Sequence, residues 1–259
     1  MKRILSVFLL IAMTVSTFAI LPAQAAAPIT STEEDSIVPS PWDSIETEGG
    51  AFSSEIEEAG LTYAAQGAET YGARSSPLPF RDVSSSSWFY DEVVYVYEAG
   101  LMDGISSTEF APNASLTRAE VVTVLYRLAD EPQVQTNAPF TDVSEGSYYA
   151  KAVAWAYGSG IAEGVTKERF APNASATREQ MVVFFARFAR LSGKTVEATG
   201  DLRNYTDAGS VSPYATEAMT WAVETGLIEG MTEHTLNPQG TSTRAQAATI
   251  LMRYCTMLG

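Results

Sequence analysis

The sequence predicts a mainly α-helical protein built from three tandem helix-loop-helix repeats. Two observations predict this class. Residues 79–259 contain the same columns of residues three times, and each copy has two apolar runs with the period of a helix. A third observation limits the architecture: a unit of about fifty residues cannot bury its apolar stripes alone, so we expect the repeats to pack together.

Residues 1–25 have the features of a secretory signal peptide. A basic start, an apolar run over residues 4–20 and an A-x-A cleavage sequence at residues 23–25 follow in that order. The alternative, an uncleaved anchor helix, is disfavoured by Pro22 and by the cleavage sequence. No later stretch approaches the roughly 18 apolar residues that span a bilayer. We therefore predict a secreted protein with no transmembrane segment after signal removal.

Residues 26–78 differ in composition from the rest of the chain. They contain ten acidic residues against one base, Arg74, and they show no sustained apolar period. This composition is typical of a disordered acidic linker. The whole chain has a formal charge of −15, which disfavours nucleic acid as a partner because nucleic-acid binding needs a basic surface.

The residues used most often in catalysis and metal binding are scarce. Cys255 is the only cysteine and His234 the only histidine. Neither residue is accompanied by a plausible set of partners, so neither a nucleophile with its base nor a zinc site is expected. The aspartates that recur once per repeat lack the spacing of a calcium loop and are expected to cap a loop or a helix. The sequence predicts no enzyme, no cofactor and no bound metal.

The three repeats occupy residues 79–133, 139–194 and 202–259. Each carries an aspartate, an aromatic residue, two glycines, a large apolar residue, a proline and an arginine in the same order, with one extra residue before the aromatic residue of the third copy. In chain order the columns are Asp82, Asp142 and Asp207; Trp88, Tyr148 and Tyr214; Gly100, Gly160 and Gly226; Gly104, Gly164 and Gly230; Phe110, Phe170 and Leu236; Pro112, Pro172 and Pro238; and Arg118, Arg178 and Arg244.

Two helices are expected in each repeat. In the first repeat, an apolar stripe from Tyr90 to Leu101 indicates one helix, and Gly100 is placed to end it in a left-handed conformation. A second apolar stripe follows Thr117 and indicates the other helix. The intervening residues 104–115 are too few for another helix and predict an extended loop.

The second helix of every repeat begins with a threonine that is followed three residues later by Glu or Gln. This spacing predicts a capping box, in which the two side chains and the two backbone N–H groups bond reciprocally. The predicted pairs are Thr117 and Glu120, Thr177 and Gln180, and Thr243 and Gln246. Capping does not explain the arginine after each threonine, because a cation at a helix N-terminus opposes the macrodipole. Its recurrence indicates a function, and a surface ion pair is the alternative.

These columns resemble the S-layer homology family. The Phe-x-Asp-Val opening, the Gly-Leu/Ile-x-x-Gly turn, the Phe-x-Pro segment and the Thr-Arg-Ala-Glu helix start are its marks, and only the first copy keeps the last of these in full. The resemblance covers residues 79–259 and implies a pseudo-threefold, spindle-like helical bundle. It also implies that grooves between the repeats bind secondary cell-wall polysaccharide, often ending in a pyruvylated amino sugar, and so hold the protein at the cell surface.

The resemblance implies which residues contact the ligand. The arginines are expected to pair with the pyruvate carboxylate, helped by free N–H groups at exposed helix N-termini. The turn glycines are expected to approach the sugar and to need a positive φ. The aromatic column is assigned to the sugar pocket too, although core packing is the interpretation that we favour for it. These ligand-binding residues are Arg118, Arg178 and Arg244; Gly104, Gly164 and Gly230; and Trp88, Tyr148 and Tyr214.

Two other functions are weighed against wall binding. A wall hydrolase would need paired carboxylates or a nucleophile with its base, and the sequence offers neither arrangement. A protein–protein module is the second alternative, either an S-layer-associated component or one that recruits another envelope protein through the acidic linker. Retention that soluble wall polysaccharide does not affect would favour the protein partner.

Overall fold

The computed structural model describes residues 78–134 and 137–258, with the side chains of residues 257 and 258 excepted. The predicted signal peptide and the predicted linker up to residue 77 lie outside the described residues. Within the described ranges there are no β-strands, and the helices confirm the predicted class. They are α1 (Tyr90–Glu98), α2 (Arg118–Leu128), α3 (Ala150–Gly158), α4 (Arg178–Leu191), α5 (Thr216–Glu224) and α6 (Arg244–Leu258), with short 3-10 turns at Ala208–Ser210 and Pro213–Ala215.

The second helix of each repeat begins at its threonine. The Thr117 hydroxyl accepts a hydrogen bond from the backbone N–H of Glu120 at 3.2 Å, and the Glu120 carboxylate accepts one from the backbone N–H of Thr117 at 2.7 Å. The same reciprocal bonds join Thr177 with Gln180 and Thr243 with Gln246. Both Glu and Gln therefore complete the capping box through an acceptor oxygen, with a shorter bond to the Glu120 carboxylate (2.7 Å) than to the Gln180 and Gln246 amides (3.4 and 3.1 Å).

The two glycine columns are required for different reasons. Gly100, Gly160 and Gly226 have φ of 67°, 69° and 74°, the left-handed conformation that ends the first helix. The positive φ expected for the column of Gly104 is wrong at all three positions. A Cβ atom at Gly104 would instead overlap the Phe80 ring and the carbonyl oxygens of two loop residues. Close packing, and not backbone conformation, excludes a side chain there.

The helices pack between repeats and close a ring. The first helix of each repeat lies against the second helix of the preceding repeat: α3 contacts α2, α5 contacts α4, and α1 contacts α6. Because the last of these contacts joins the third repeat to the first, the chain closes on itself with pseudo-threefold symmetry. This is the packing between repeats that the small size of each unit predicts.

Short segments before the second helices join the three repeats around the axis of the ring. Isolated antiparallel bridges pair Thr117 with Ser175, Thr177 with Thr241, and Ser115 with Thr243. Each repeat thus contributes one side of a triangle of backbone pairing. The core surrounds this triangle, and Phe110, Phe170 and Leu236 are fully buried in it.

The recurring aspartates cap the loop between the two helices. In the second repeat, the Asp142 carboxylate accepts hydrogen bonds from the backbone N–H groups of Phe170 at 2.9 Å and of Ala171 at 2.8 Å. Ala171 has a φ of 58°, so the carboxylate holds a turn that a non-glycine residue rarely adopts. Burial alone would raise the pKa of Asp142, but these backbone donors and Arg169 outweigh it and the pKa is lowered.

We expect Asp142→Ala to lower the free energy of unfolding by about 1–3 kcal/mol near neutral pH, because two backbone donors lose their acceptor. A lowered pKa stabilises the fold above the ordinary carboxyl pKa of 3.8, and this contribution is lost as the pH falls through the folded-state value. The difference between the variant and the wild type should therefore shrink in acid. Urea denaturation at several pH values measures it.

The control for this variant is Arg169→Ala. The Arg169 side chain is 66% exposed and lies 3.8 Å from Asp142, so its loss should change the free energy of unfolding by less than about 0.5 kcal/mol. A loss for Asp142→Ala that is no larger than this, or that is independent of pH, would contradict the capping role.

Candidate functional site

The recurring arginines are buried and do not lie on an open surface. Arg118, Arg178 and Arg244 are 4%, 4% and 5% exposed. Each side chain crosses to the next repeat, where its guanidinium donates to two backbone carbonyls. Arg118 Nε donates to Phe170 O at 2.9 Å and Nη2 to Glu163 O at 2.7 Å. Arg118, which the sequence predicts to bind ligand, therefore joins two repeats through these two hydrogen bonds. We call this pair of bonds the arginine clasp.

The same clasp is made by the other two arginines. Arg178 Nε and Nη2 donate to Leu236 O and Glu229 O, both at 2.9 Å. Arg244 closes the ring by donating from Nε to Phe110 O at 2.7 Å and from Nη2 to Asp103 O at 2.5 Å. Burial lowers the pKa of all three arginines, but a guanidinium stays charged in proteins, so these are charge-assisted bonds.

The helix N-termini beside the arginines are occupied by protein groups. The backbone N–H of Arg118 donates to Ala174 O at 2.9 Å, and that of Ala119 donates to Pro172 O at 3.1 Å. Equivalent bonds start α4 and α6. The expectation of free N–H donors at exposed helix starts is therefore wrong, because the loop of the neighbouring repeat supplies the acceptors.

The aromatic column lies on the surface. The exposed fractions of Trp88, Tyr148 and Tyr214 are 65%, 70% and 56%, so the favoured expectation of core packing is wrong. In the first repeat the next residue, Phe89, takes the buried position, and Trp88 rests edge-on against its ring with 5.2 Å between the centroids. The column is thus available to contact a ligand.

The three columns meet in a groove between repeats. A cavity of about 160 Å³ is lined by Trp88 of the first repeat, Arg178 of the second and Gly230 of the third. Gln246 and Arg253 of α6 also line it. We call this cavity groove A. Each repeat contributes one of the three predicted ligand-binding residues, which is a direct result of closing the ring.

The threefold arrangement implies two further grooves with equivalent residues from the same columns. Groove B contains Tyr148, Arg244 and Gly104, since Arg244 donates to the carbonyl just before Gly104. Burial and then Glu120 raise the pKa of Tyr148, and the charge of Arg244 acts in the opposite direction.

Groove C contains Tyr214, Arg118 and Gly164, because Arg118 donates to the carbonyl just before Gly164. Burial, and then the hydrogen bond and charge of Glu179, raise the pKa of Tyr214 to about 12, with Arg118 acting in the opposite direction. The threefold arrangement therefore assigns the nine residues that the sequence predicts for ligand binding to three grooves, and all three members of groove A line the cavity there.

A second arginine column escaped the sequence analysis. Arg127 lies 2.9 Å from Asp103, Arg187 lies 3.6 Å from Glu163, and Arg253 lies 2.9 Å from Glu229. In each pair the acid immediately precedes a turn glycine, and the arginine follows the first arginine column by nine residues. The acid and the arginine recur at the same positions in all three repeats. Sequence analysis could have found them by this recurrence, although neither residue belongs to a known motif.

Two acidic residues also have functions that the sequence did not indicate. Glu120 was predicted only as a helix cap, yet its Oε1 accepts a hydrogen bond from Nη1 of Arg244 at 3.0 Å. Glu179 is buried and accepts from the Ser212 backbone N–H at 2.9 Å and from the Tyr214 hydroxyl at 2.8 Å. Neither partner is near in sequence, so only the closed ring reveals these contacts.

No helix in the described part of the chain is long and apolar enough to cross a membrane. Among the same residues, no three His, Cys, Asp or Glu side chains gather as a metal site would require. Cys255 is buried, and burial raises the pKa of its thiol to about 11.

Comparison with known proteins identifies the repeats. The family model described as the S-layer homology domain matches residues 79–122, 139–182 and 204–248. This match confirms the resemblance drawn from the residue columns, in all three copies.

Similar proteins include enzymes and surface proteins. An endoglucanase of Bacillus sp. (strain KSM-635) is 33% identical over 71% of this chain, and a surface-layer 125 kDa protein of Lysinibacillus sphaericus is 30% identical over 69%. A cellulosome-anchoring protein of Acetivibrio thermocellus is 30% identical over 53%. The matched regions are 19%, 15% and 32% of those proteins, so this chain spans a third or less of each.

Because the first arginine column holds the ring together, we expect Arg118→Ala to lower the free energy of unfolding by about 2–4 kcal/mol. The variant loses two charge-assisted bonds and leaves buried carbonyl groups without a donor. Urea denaturation followed by circular dichroism measures the change. Arg203→Ala is the control, because that side chain is 88% exposed and its loss should leave the unfolding transition unchanged. Equal stability of the two variants would show that the clasp is dispensable.

Proposed function

The chain belongs to the S-layer homology domain family, and on this premise we propose that it is a secreted cell-surface protein that anchors itself non-covalently to the cell wall. The observation that carries this proposal is the convergence of an arginine, a turn glycine and an exposed aromatic residue, one from each repeat, in groove A. Similarity to an S-layer protein and to a cellulosome-anchoring protein supports it.

The ligand that this groove suits is an anionic sugar of the secondary cell-wall polysaccharide. Nε and Nη2 of Arg178 are used by backbone carbonyls, whereas Nη1 has no partner among the described residues and the side chain lines the cavity. A carboxylate is the natural acceptor for that donor, and a ketal-linked pyruvate supplies one. Trp88 offers an aromatic face to the sugar ring. Because Gly230 has no side chain, it leaves space for the sugar in the cavity.

Retention at the wall would depend on several contacts. A groove this small holds one or two sugar units, so each contact is weak. The three grooves face a polymer that repeats the same unit, and binding at one groove raises the effective concentration at the next. The fold requires no catalytic group for this task, and we propose a binding module with no turnover. The endoglucanase relative matches over 19% of its length, so its name is no ground for assigning its activity to this chain.

Arginine variants are poor tests of wall binding, because the arginines also hold the fold. Trp88 is the better target. We expect Trp88→Ala to reduce pelleting of the full-length protein with purified wall at least several-fold while leaving the unfolding transition unchanged, since the side chain is exposed. His234→Ala serves as the control because His234 is exposed and is not among the residues that line groove A. Pelleting by Trp88→Ala that equals the wild type would count against the groove as the binding site.

Wall from a host that lacks the pyruvate-adding step tests the ligand itself. We expect the wild-type protein to pellet poorly with this wall, because the carboxylate that pairs with the arginine is missing. Addition of soluble wall polysaccharide should release the protein from normal wall. Retention that persists in both experiments would instead favour another envelope protein as the partner, the alternative that the acidic linker suggests.

A further inference from the structure

The three grooves differ in charge at the capping-box residue of the second helix. This difference determines which groove is suited to an anionic ligand. This inference rests on the proposed function and concerns which groove takes the anionic sugar. We propose that groove A is the primary anion site of the ring and that Glu120 closes groove B to anions by occupying the arginine there. The selection is made at the capping-box position that is Glu120 in the first repeat, Gln180 in the second and Gln246 in the third.

In groove B every nitrogen of the guanidinium is used by the protein. Nε and Nη2 of Arg244 bond backbone carbonyls, and Nη1 donates to Glu120 Oε1 at 3.0 Å. The pair is largely removed from water, with side-chain exposures of 7% and 25%. A ligand carboxylate would have to displace a carboxylate that the fold already holds in place. Two like charges at one guanidinium repel each other, and the interaction is strong where water is excluded.

Groove A offers the same guanidinium without a carboxylate at the capping position, and the Glu229 carboxylate that lines this cavity is paired with Arg253 at 2.9 Å. Arg178 forms no ion pair within 4.0 Å in the described part of the chain, and the residue equivalent to Glu120 is Gln246. The Gln246 amide oxygen accepts the capping bond from Thr243 at 3.1 Å, and its nitrogen contacts the Met231 sulfur at 3.5 Å. The neutral amide leaves the charge of Arg178 for the ligand.

Groove C is intermediate between grooves A and B in its suitability for an anionic ligand. Its capping residue is the neutral Gln180, so Nη1 of Arg118 has no acid partner among the residues described. Its aromatic residue, however, is tied by its hydroxyl to the buried Glu179 carboxylate at 2.8 Å. The positions equivalent to Glu179 are Ala119 and Ala245, so this charge is present only in groove C. An anionic sugar that stacks on Tyr214 would lie next to it, whereas the two equivalent positions of groove A are the neutral Gln246 and Ala245.

The test exchanges acid and amide between grooves A and B. Gln246→Glu should weaken pelleting of the full-length protein with purified wall by about tenfold or more, because it places a carboxylate beside Arg178. Glu120→Gln should strengthen it by several-fold, because it frees Arg244. The double variant should restore binding through groove B. Glu and Gln both satisfy the capping box, so the helix starts should be kept in all three variants. Glu120→Gln also removes the charge that pairs with the buried Arg244, so its free energy of unfolding is measured alongside pelleting.

Fluorescence then shows which groove is filled. Trp88 is exposed in groove A, whereas Trp155 and Trp221 are buried. We expect soluble wall polysaccharide to change the emission of the wild type. Trp88→Tyr should abolish this change while the variant still binds. The Gln246→Glu/Glu120→Gln double variant should bind polysaccharide without it.

Two controls carry the same charge changes away from the grooves. Glu98→Gln and Gln133→Glu alter exposed residues and should leave pelleting within about twofold of the wild type, since exposed charges are screened. If the wild type does not pellet with wall at all, the proposed function fails. If the wild type pellets but Gln246→Glu binds as well as it does, or Glu120→Gln gains nothing over Glu98→Gln, the groove assignment is overturned while wall binding stands.

Discussion

The bond between an arginine of one repeat and two backbone carbonyls of the next is the interaction on which the ring depends. No single repeat has a core of its own, so each must be held in register with its neighbour. Arg118, Arg178 and Arg244 do this at equivalent points, with donor–acceptor distances of 2.5–2.9 Å. A buried guanidinium without acceptors would be strongly unfavourable, so the clasp also specifies which loop conformation the partner must adopt.

Closing the ring explains why the grooves are composite. The arginine reaches forward by one repeat, and the aromatic residue lies on the far side of the same interface. In groove A, Trp88, Arg178 and Gly230 are therefore neighbours although they lie in three different repeats. A fragment with one repeat has all three kinds of residue but cannot place them together. The ligand binding that we propose therefore requires all three repeats in the closed ring.

The features that could be predicted from the sequence are those determined by residues close together in the chain. Helical periods, capping threonines and the left-handed glycines at the ends of the first helices are decided within a few residues. Contacts between repeats were not predictable in this way. Trp88 and Phe89 are adjacent aromatics, and nothing local decides which of them is buried. Gly104 looked like a turn glycine, whereas the Phe80 ring that excludes a side chain there lies 24 residues earlier in the chain.

In the binding that we propose, the fold and the ligand use different atoms of the same arginine. Nε and Nη2 are committed to the carbonyls of the next repeat, and in two of the three repeats only Nη1 remains for another acceptor. The neighbouring capping residue controls that third nitrogen, and its own structural task needs just one acceptor oxygen. Glu120, Gln180 and Gln246 all supply that oxygen, so the capping box does not distinguish acid from amide. The charge at this position can therefore vary without affecting the helix start, which lets a ring of nearly identical repeats present three grooves of different electrostatic character.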